Sequence, residues 1–368
     1  MGCFPRRLDI PYCLIVASYL LLIFGGRGVA LGQDGIMRTA SPFAGMLTGE
    51  QKMIDSIKSW VGGHLIGDDC ALIASQTLVS TDALVEGVHF RRDLMSLEEI
   101  GWKAVAVNLS DIAAMAGRPR YLFVTVCAPP GFSHNDFRSL YKGIADCARQ
   151  YRVTIAGGDI TASEQLMLSL TVMGEVHENG CLTRSGAKPG DVLIATGDFG
   201  ASRAGLWQLL SGSGIEKNSR ESLADHALSK HIRPLPRLAE SWLLVSKTGS
   251  KGALMDSSDG LADAIVQLAR ASSVGFMVEL GSIPINEQTK RIAAQAGADP
   301  IEWALYGGED YELVACIDAN VWGEWRKEGS KGNPFVPIGI VTDGSSIDLT
   351  RHGSAAPPLD MSKCFQHI

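Results

Sequence analysis

The chain has 368 residues, of which 46% are hydrophobic and 20% charged, and its formal net charge is -7. That balance belongs to a globular protein with apolar material for two ordinary domains or one large one. It argues against a nucleic-acid partner, which calls for a basic face. The eight cysteines form no C-x-x-C pair and the eight histidines no H-x-x-x-H. Neither a zinc site nor a disulfide framework is expected, and reduced thiols in a reducing compartment are the better reading.

Arg6 and Arg7 precede an apolar run over residues 10–24, followed by Gly25 and Gly26. This reads as a secretory signal or anchor, or as an upstream extension ahead of a start at Met37 or Met46. The run is short of the roughly 20 apolar residues that a membrane span needs, so a membrane partner is not the favoured reading. Residues 27–48 read as a linker, and the folded part is expected from Gly49. Short apolar runs at 72–74 and 78–80 predict strands. Ser96-Leu97-Glu98-Glu99 is a capping box that opens a helix over 96–116, closed by Gly117 and Pro119. After Ser133, the residues Phe137, Leu140, Tyr141, Ile144 and Ala148 fall on one face of a second helix. Residues 153–156 and 166–173 read as strands. Lys188-Pro189-Gly190-Asp191 is a turn into a strand at 192–195. Ser258 leads into a helix whose apolar face carries Leu261, Ala264, Ile265 and Leu268. Strands and helices alternate throughout, so the expected class is α/β or α+β. The expected divisions are an extension at 1–48, an N-terminal domain at 49–186 and a C-terminal domain at 187–368.

Six acidic motifs share one local design, with Asp or Glu beside Gly or at the end of an apolar run. They are Gly67-Asp68-Asp69, Ser80-Thr81-Asp82, Asn108-Leu109-Ser110-Asp111, Gly157-Gly158-Asp159, Asp256-Ser257-Ser258-Asp259-Gly260 and Gly307-Gly308-Glu309-Asp310. Each one alone could be a turn or a helix cap. Asp111 is harder to dismiss, because its helix is almost wholly apolar and a buried carboxylate is costly without a cation. Lys103 and Arg118 are the only basic residues close to that helix face, which makes a metal ion the economical partner. Oxygen ligands without His or Cys clusters suit Mg²⁺, and several carboxylates suggest several ions around a polyphosphate. No G-x-x-x-x-G-K-[ST] loop and no protein-kinase motif set is present. Gly197-Asp198-Phe199-Gly200-Ala201 reads as a plain strand-to-helix turn.

In this order the motifs resemble those of the thiamine-monophosphate kinase family. The matching pieces include Gly67-Asp68-Asp69-Cys70-Ala71-Leu72, the run from Ser80-Thr81-Asp82 to His89-Phe90, and Leu182-Thr183-Arg184-Ser185-Gly186. The second half adds Ser257-Ser258-Asp259-Gly260-Leu261 and Gly307-Gly308-Glu309-Asp310-Tyr311. The similarity runs from about Gly49 to the C-terminus. It implies the fold of the aminoimidazole-ribonucleotide synthetase and selenophosphate synthetase superfamily, with an N-terminal mixed-sheet domain that forms a homodimer through its strands and an α/β C-terminal domain. It further implies that ATP and thiamine phosphate react to give ADP and thiamine diphosphate, with several Mg²⁺ ions; ATP chemistry with free thiols favours the cytoplasm over export or anchoring through the apolar run. Carried over by motif, Asp69, Ser80, Thr81, Asp82, Asp111, Asp159, Asp256 and Asp259 would surround the metals, with Asp82, Asp111 and Asp159 closest to the chemistry. Tyr141, Gly158, Asp159, Arg184 and Ser258 would contact ATP. His89, Glu309 and an aromatic such as Phe365 would contact thiamine phosphate. Where the family often has Thr-Thr-Arg after Gly-Gly-Asp, this chain has Ile160-Thr161-Ala162. The rival readings are another ATP-using enzyme of the superfamily and a non-catalytic nucleotide or thiamine-phosphate binder. A selenophosphate synthetase would need a reactive Cys before Gly67 in a Gly-rich motif, and none stands in such a context.

Overall fold

The computed structural model describes residues 29–31, 37–39, 42–212, 225–328 and 333–365, and the apolar run at 10–24 lies outside them. The chain divides into two units, Met1–Gly45 and Met46–Ile368. In the first, β1 (Val29–Leu31) pairs antiparallel with β2 (Met37–Thr39). The sequence reads this stretch as linker because three-residue strands carry no period-2 pattern. Among the described residues, no helix is long and apolar enough to cross a membrane.

The second unit opens with α1 (Gly49–Val61), a helix the sequence reading does not assign. Thr48 and Gln51 cap it reciprocally, and Gly62 ends it in the left-handed region. Strands β3 (Ala71–Ile73) and β4 (Thr77–Val85) follow, and β4 runs five residues beyond its expected end. Ser96 and Glu99 form the predicted capping box of α2 (Leu97–Ala114). Next come β5 (Arg118–Ala128), α3 (His134–Gln150) with its Ser133–Asp136 box, β6 (Thr154–Ala162) and β7 (Met167–Glu175). These strands make a five-stranded sheet of order β3-β4-β7-β5-β6, antiparallel except for β5 with β6.

One face of this sheet is covered. Leu78, Leu84, Leu122, Val124, Leu168 and Leu170 bury there, and α2 packs on β4, β5 and β7. The opposite side of α2 meets the C-terminal half at β9 and α6, both defined below. A helix apolar all round is one buried all round, which is why α2 shows no polar stripe. Helices α2 and α3 approach closely where Gly101 faces Leu140 and Gly143 faces Glu98. A Cβ on Gly143 would stand 1.8 Å from the Glu98 carbonyl oxygen. The other face of the sheet is different. Tyr121 is 50% exposed, and every residue of β6 is exposed.

The C-terminal half contains β8 (Val192–Thr196), α4 (Ala201–Ser211), α5 (His226–Ile232), α6 (Leu238–Thr248), β9 (Ala253–Asp256), α7 (Leu261–Ser272) and β10 (Gly275–Glu279). Then follow α8 (Glu287–Gln295), α9 (Pro300–Tyr306), β11 (Leu313–Ile317), α10 (Ala319–Lys327), β12 (Phe335–Thr342), β13 (Ile347–Arg351) and β14 (Ser354–Ala355). Seven strands form a mixed sheet of order β14-β13-β10-β12-β8-β11-β9, with only β10 and β13 parallel. Helix α7 packs on β9, β10 and β11. Its N-cap is Gly260, with no side-chain cap, rather than Ser258. Ser258 instead serves the turn before the helix, where its carbonyl accepts from the Glu309 N–H.

Candidate active site

A cavity of about 300 Å³ opens where α2 lies between the two sheets, bounded by β4, the end of β9 and the turn through residues 307–311. Its floor is acidic. Asp69, Asp111 and Asp256 each offer a carboxylate oxygen, and these oxygens lie within 4.8 Å of one another. Hydroxyls aim two of them. Ser80 Oγ donates to Asp111 at 2.5 Å, and Ser110 Oγ donates to Asp256 at 2.5 Å. Asp82 stands on the same face of β4 as Ser80, and its backbone N–H donates to Asn108 Oδ1 at 3.2 Å.

One cation pairs with this group at Asp69, from a neighbouring cavity of about 410 Å³ that Arg184 lines. Arg184 Nη2 is 2.7 Å from Asp69 Oδ1, and its Nε is 3.2 Å from Oδ2. One guanidinium does not balance the group. Burial, and then neighbouring carboxylates led by Asp82, push Asp111 well above the ordinary range. Burial and then Asp69 push Asp256 up to about 7. Burial and then Asp263 push Asp259 up to about 8. The nearby Cys70 thiol is pushed up as well, by burial and then by Asp111, and so stays protonated and outside the ligand set. Uncompensated negative charge on oxygen-only donors fits a hard divalent cation such as Mg²⁺.

The opposite wall is neutralised internally. Lys103 is 1% exposed, and its Nζ lies 2.6 Å from Glu309 Oε1 and 3.3 Å from the His89 carbonyl. Burial works to raise the Glu309 pKa, but Lys103 outweighs it and holds the carboxyl below its usual value. His231 stands 3.4 Å from Glu309 Oε2 and 3.0 Å from Ser202 Oγ. Burial, then Lys103, lower His231 to about 3, so it is neutral at physiological pH. His89 Nδ1 accepts from the Val85 N–H at 3.1 Å, which leaves the ring proton on Nε2. Glu309 and Tyr311 take left-handed backbone angles, with φ of 57° and 51°. That strain, about 1–3 kcal/mol for each residue, is held by N–H bonds from Glu309 and Tyr311 to the carbonyls of Ser258 and Ser257. Asp310 caps α4 through the N–H groups of Gly200 and Ser202, so 197–201 is indeed a strand-to-helix turn.

Residues 67–176 match the model for the AIR synthase related protein N-terminal domain, and residues 188–352 match that for its C-terminal domain. The thiamine-monophosphate kinase of Synechococcus elongatus is 36% identical over 328 residues, 87% of this chain and 96% of that protein. The thiamine-monophosphate kinase of Bacillus subtilis is 35% identical over 305 residues, 78% and 91% of the two chains. The chain belongs to the thiamine-monophosphate kinase family. Among solved structures, AaThiL complexed with AMPPCP and TMP aligns with a TM-score of 0.75 at 31% identity, covering 88% of this chain and 97% of that one. The thiamine monophosphate kinase of Aquifex aeolicus aligns at 0.71 and 29% identity, covering 89% and 98%.

The family motifs converge unevenly in the folded chain. Asp69, Asp111 and Asp256 meet, with Ser80, Asp82, Ser258 and Asp259 around them and Arg184 alongside. His89, Glu309 and Phe365 line the cavity's other side. Thr81 does not turn inward. Its hydroxyl donates to the Leu170 carbonyl, and its side chain stands on the open face of the sheet. Asp159 is in register with Thr125, Ser169 and Ala83, so it too stands on the open face, on the other side of the sheet from Asp82 and with two strands between them. Gly158 lies beside it on the exposed edge strand, and Tyr141 is half-buried on α3 against the core. Sequence reasoning missed Glu50, Ser110, Arg203 and Tyr311 as lining or supporting residues, and it saw Lys103 only as a stray charge. A lysine in an otherwise apolar helix is the signal that could have found the last of these.

Proposed function

We propose that the chain transfers the γ-phosphoryl group of ATP to thiamine phosphate, giving thiamine diphosphate and ADP. Family membership carries this reading, and the acidic floor beside a neutralised wall supports it. Asp69, Asp111 and Asp256, with Ser80, Asp82 and Asp259 close by, would hold Mg²⁺. Bound there, Mg²⁺ would neutralise charge on the reacting phosphates.

The remaining chemistry belongs to this chain's own residues. Ser80 and Ser110 hold two carboxylates in one orientation, which is preorganisation that costs nothing at the moment of reaction. Arg184 and Ser258 would meet ATP; His89, Glu309 and Phe365 would meet the acceptor. The nucleophile is a phosphate oxygen with a second pKa of about 6, so no residue has to take its proton at neutral pH. Catalysis is then positioning and charge stabilisation, with direct in-line transfer and no phosphoenzyme. A homodimer formed through the open face of the five-stranded sheet would cover β5 and β6, and would give Thr81, Gly158 and Asp159 a setting that a single chain lacks. ATP use and free thiols suit the cytoplasm; the six described cysteines are all free.

The test is ADP release at saturating Mg²⁺ with thiamine phosphate or thiamine as acceptor, for the wild type and Asp111→Asn. The phosphate ester should turn over and thiamine should not, and Asp111→Asn should lose about 100-fold or more in kcat, several kcal/mol of charge stabilisation. Equal turnover of both acceptors, a trapped phosphoryl-Asp, or near-normal activity of Asp111→Asn at limiting Mg²⁺ would overturn the proposal.

A further inference from the structure

The cavity wall carries an exposed cation that no carboxylate among the described residues pairs. Arg203 is the third residue of α4, and it lines both the main cavity and an adjoining one of about 280 Å³. A positive charge in the first turn of a helix opposes the helix dipole, so its own helix does not stabilise it there. Nor does an ion pair. Among the described residues Arg203 has no carboxylate within salt-bridge distance. Its neighbours are already committed: Lys103 to Glu309, and Lys363 to Glu302 at 2.5 Å.

The side chain's base is nonetheless seated. Gly307 has an ordinary helical backbone, φ -68° and ψ -32°, so conformational freedom does not explain a glycine there. A Cβ at 307 would stand 2.8 Å from Arg203 Cβ and 2.4 Å from the Trp303 carbonyl oxygen. The turn therefore leaves room for the arginine stem against the strained segment that carries Glu309. The α4 terminus is not itself an anion site, because the Asp310 carboxylate already accepts from the Gly200 and Ser202 N–H groups. What remains open is the guanidinium, on the side of the cavity that holds Glu309, His89 and Phe365.

From this placement we infer that Arg203 binds the phosphate of the acceptor substrate and sets the preference for a phosphorylated over an unphosphorylated acceptor. The inference rests on the kinase reading above for the identity of that acceptor. Thiamine phosphate joins a cationic thiazolium ring to a phosphate of about -1.5 to -2 charge. An arginine repels the ring and attracts the phosphate, so it can serve only the phosphate end. The planar fork of a guanidinium matches two phosphate oxygens, which a lysine cannot reproduce.

Steady-state kinetics on Arg203→Ala, Arg203→Gln and Arg203→Lys test the inference, together with calorimetric titration of thiamine phosphate and of thiamine. Arg203→Ala and Arg203→Gln should raise the KM for thiamine phosphate about tenfold or more and keep the KM for ATP within about twofold, a loss of about 1.4 kcal/mol. Arg203→Lys should recover part of that loss, and thiamine binding should be unchanged in all three. An acceptor KM within twofold of wild type, or parallel rises in both KM values, would overturn the inference while leaving the kinase reading intact. A wild type that binds thiamine phosphate in an Arg203-dependent way but never turns it over would sink the kinase reading and leave the anion site standing.

Discussion

Glu312 is wholly buried, and it sits between two cations. Arg237 Nη2 lies 2.5 Å from its Oε1, Lys230 also pairs with Oε1, and Thr196 Oγ1 donates to Oε2 at 2.6 Å. Burial alone would raise its pKa, but Lys230 and then Arg237 outweigh burial and hold it at about 2, against an ordinary 4.5. A carboxylate with a depressed folded pKa adds stability that is fully present above the unfolded value and is lost as pH falls through the folded one. Glu312→Gln should therefore cost about 3–5 kcal/mol at neutral pH, because two buried cations lose their partner. The gap between wild type and variant should hold down to about pH 4.5 and close toward pH 2. Urea unfolding across that range measures it, and a gap already closed at pH 6 would assign the stabilisation to another group. This arrangement was not legible from the chain alone. Glu312 is 75 residues from Arg237 and 82 from Lys230, and nothing in its local motif distinguishes it from Glu309 three positions away.

At the scale of the element, β6 stands open to solvent. It is an edge strand exposed on both faces, with Ile160 at 60% exposure near its C-terminal end. Long exposed edges invite pairing with another chain, and lysine is one of the residues that blunt them. If two chains join along this edge, Ile160→Lys should yield monomers by sedimentation while changing monomer stability by no more than about 0.5 kcal/mol. Activity should fall with the dimer. A monomeric wild type, or an unaltered dimer in the variant, would place the interface elsewhere. The same strand shows how far local pattern reaches. Its first residues were expected as a strand, but the Gly157-Gly158-Asp159 stretch reads as a turn, and only pairing with β5 extends the strand through it. Helices α2 and α3 behaved oppositely. Their capping boxes and their apolar content are local, and both appear within a few residues of expectation.

For the molecule as a whole, the division at Gly45 predicts that a chain of residues 46–368 folds by itself. It should be soluble and should match the full-length chain in melting temperature and in ADP release with thiamine phosphate. Loss of folding on truncation would show that the preceding segment packs on the rest. What the sequence determined alone was the set of chemical groups: carboxylates beside glycines, an arginine after a threonine, and a helix too apolar to face water. Those are contiguous signals, and they sufficed for the family and for the acidic residues that line the cavity, Glu50 apart. The tertiary structure decided which groups share a site. It brought Arg184 to Asp69 across 115 positions and Ser110 to Asp256 across 146. It turned Thr81 and Asp159 to the far face of the sheet, because side chains alternate along a strand and register fixes which face each takes. It also left Arg203 without a carboxylate at the start of a helix, where no spacing rule would look, because an ion pair depends on distances between elements that the order of residues does not specify.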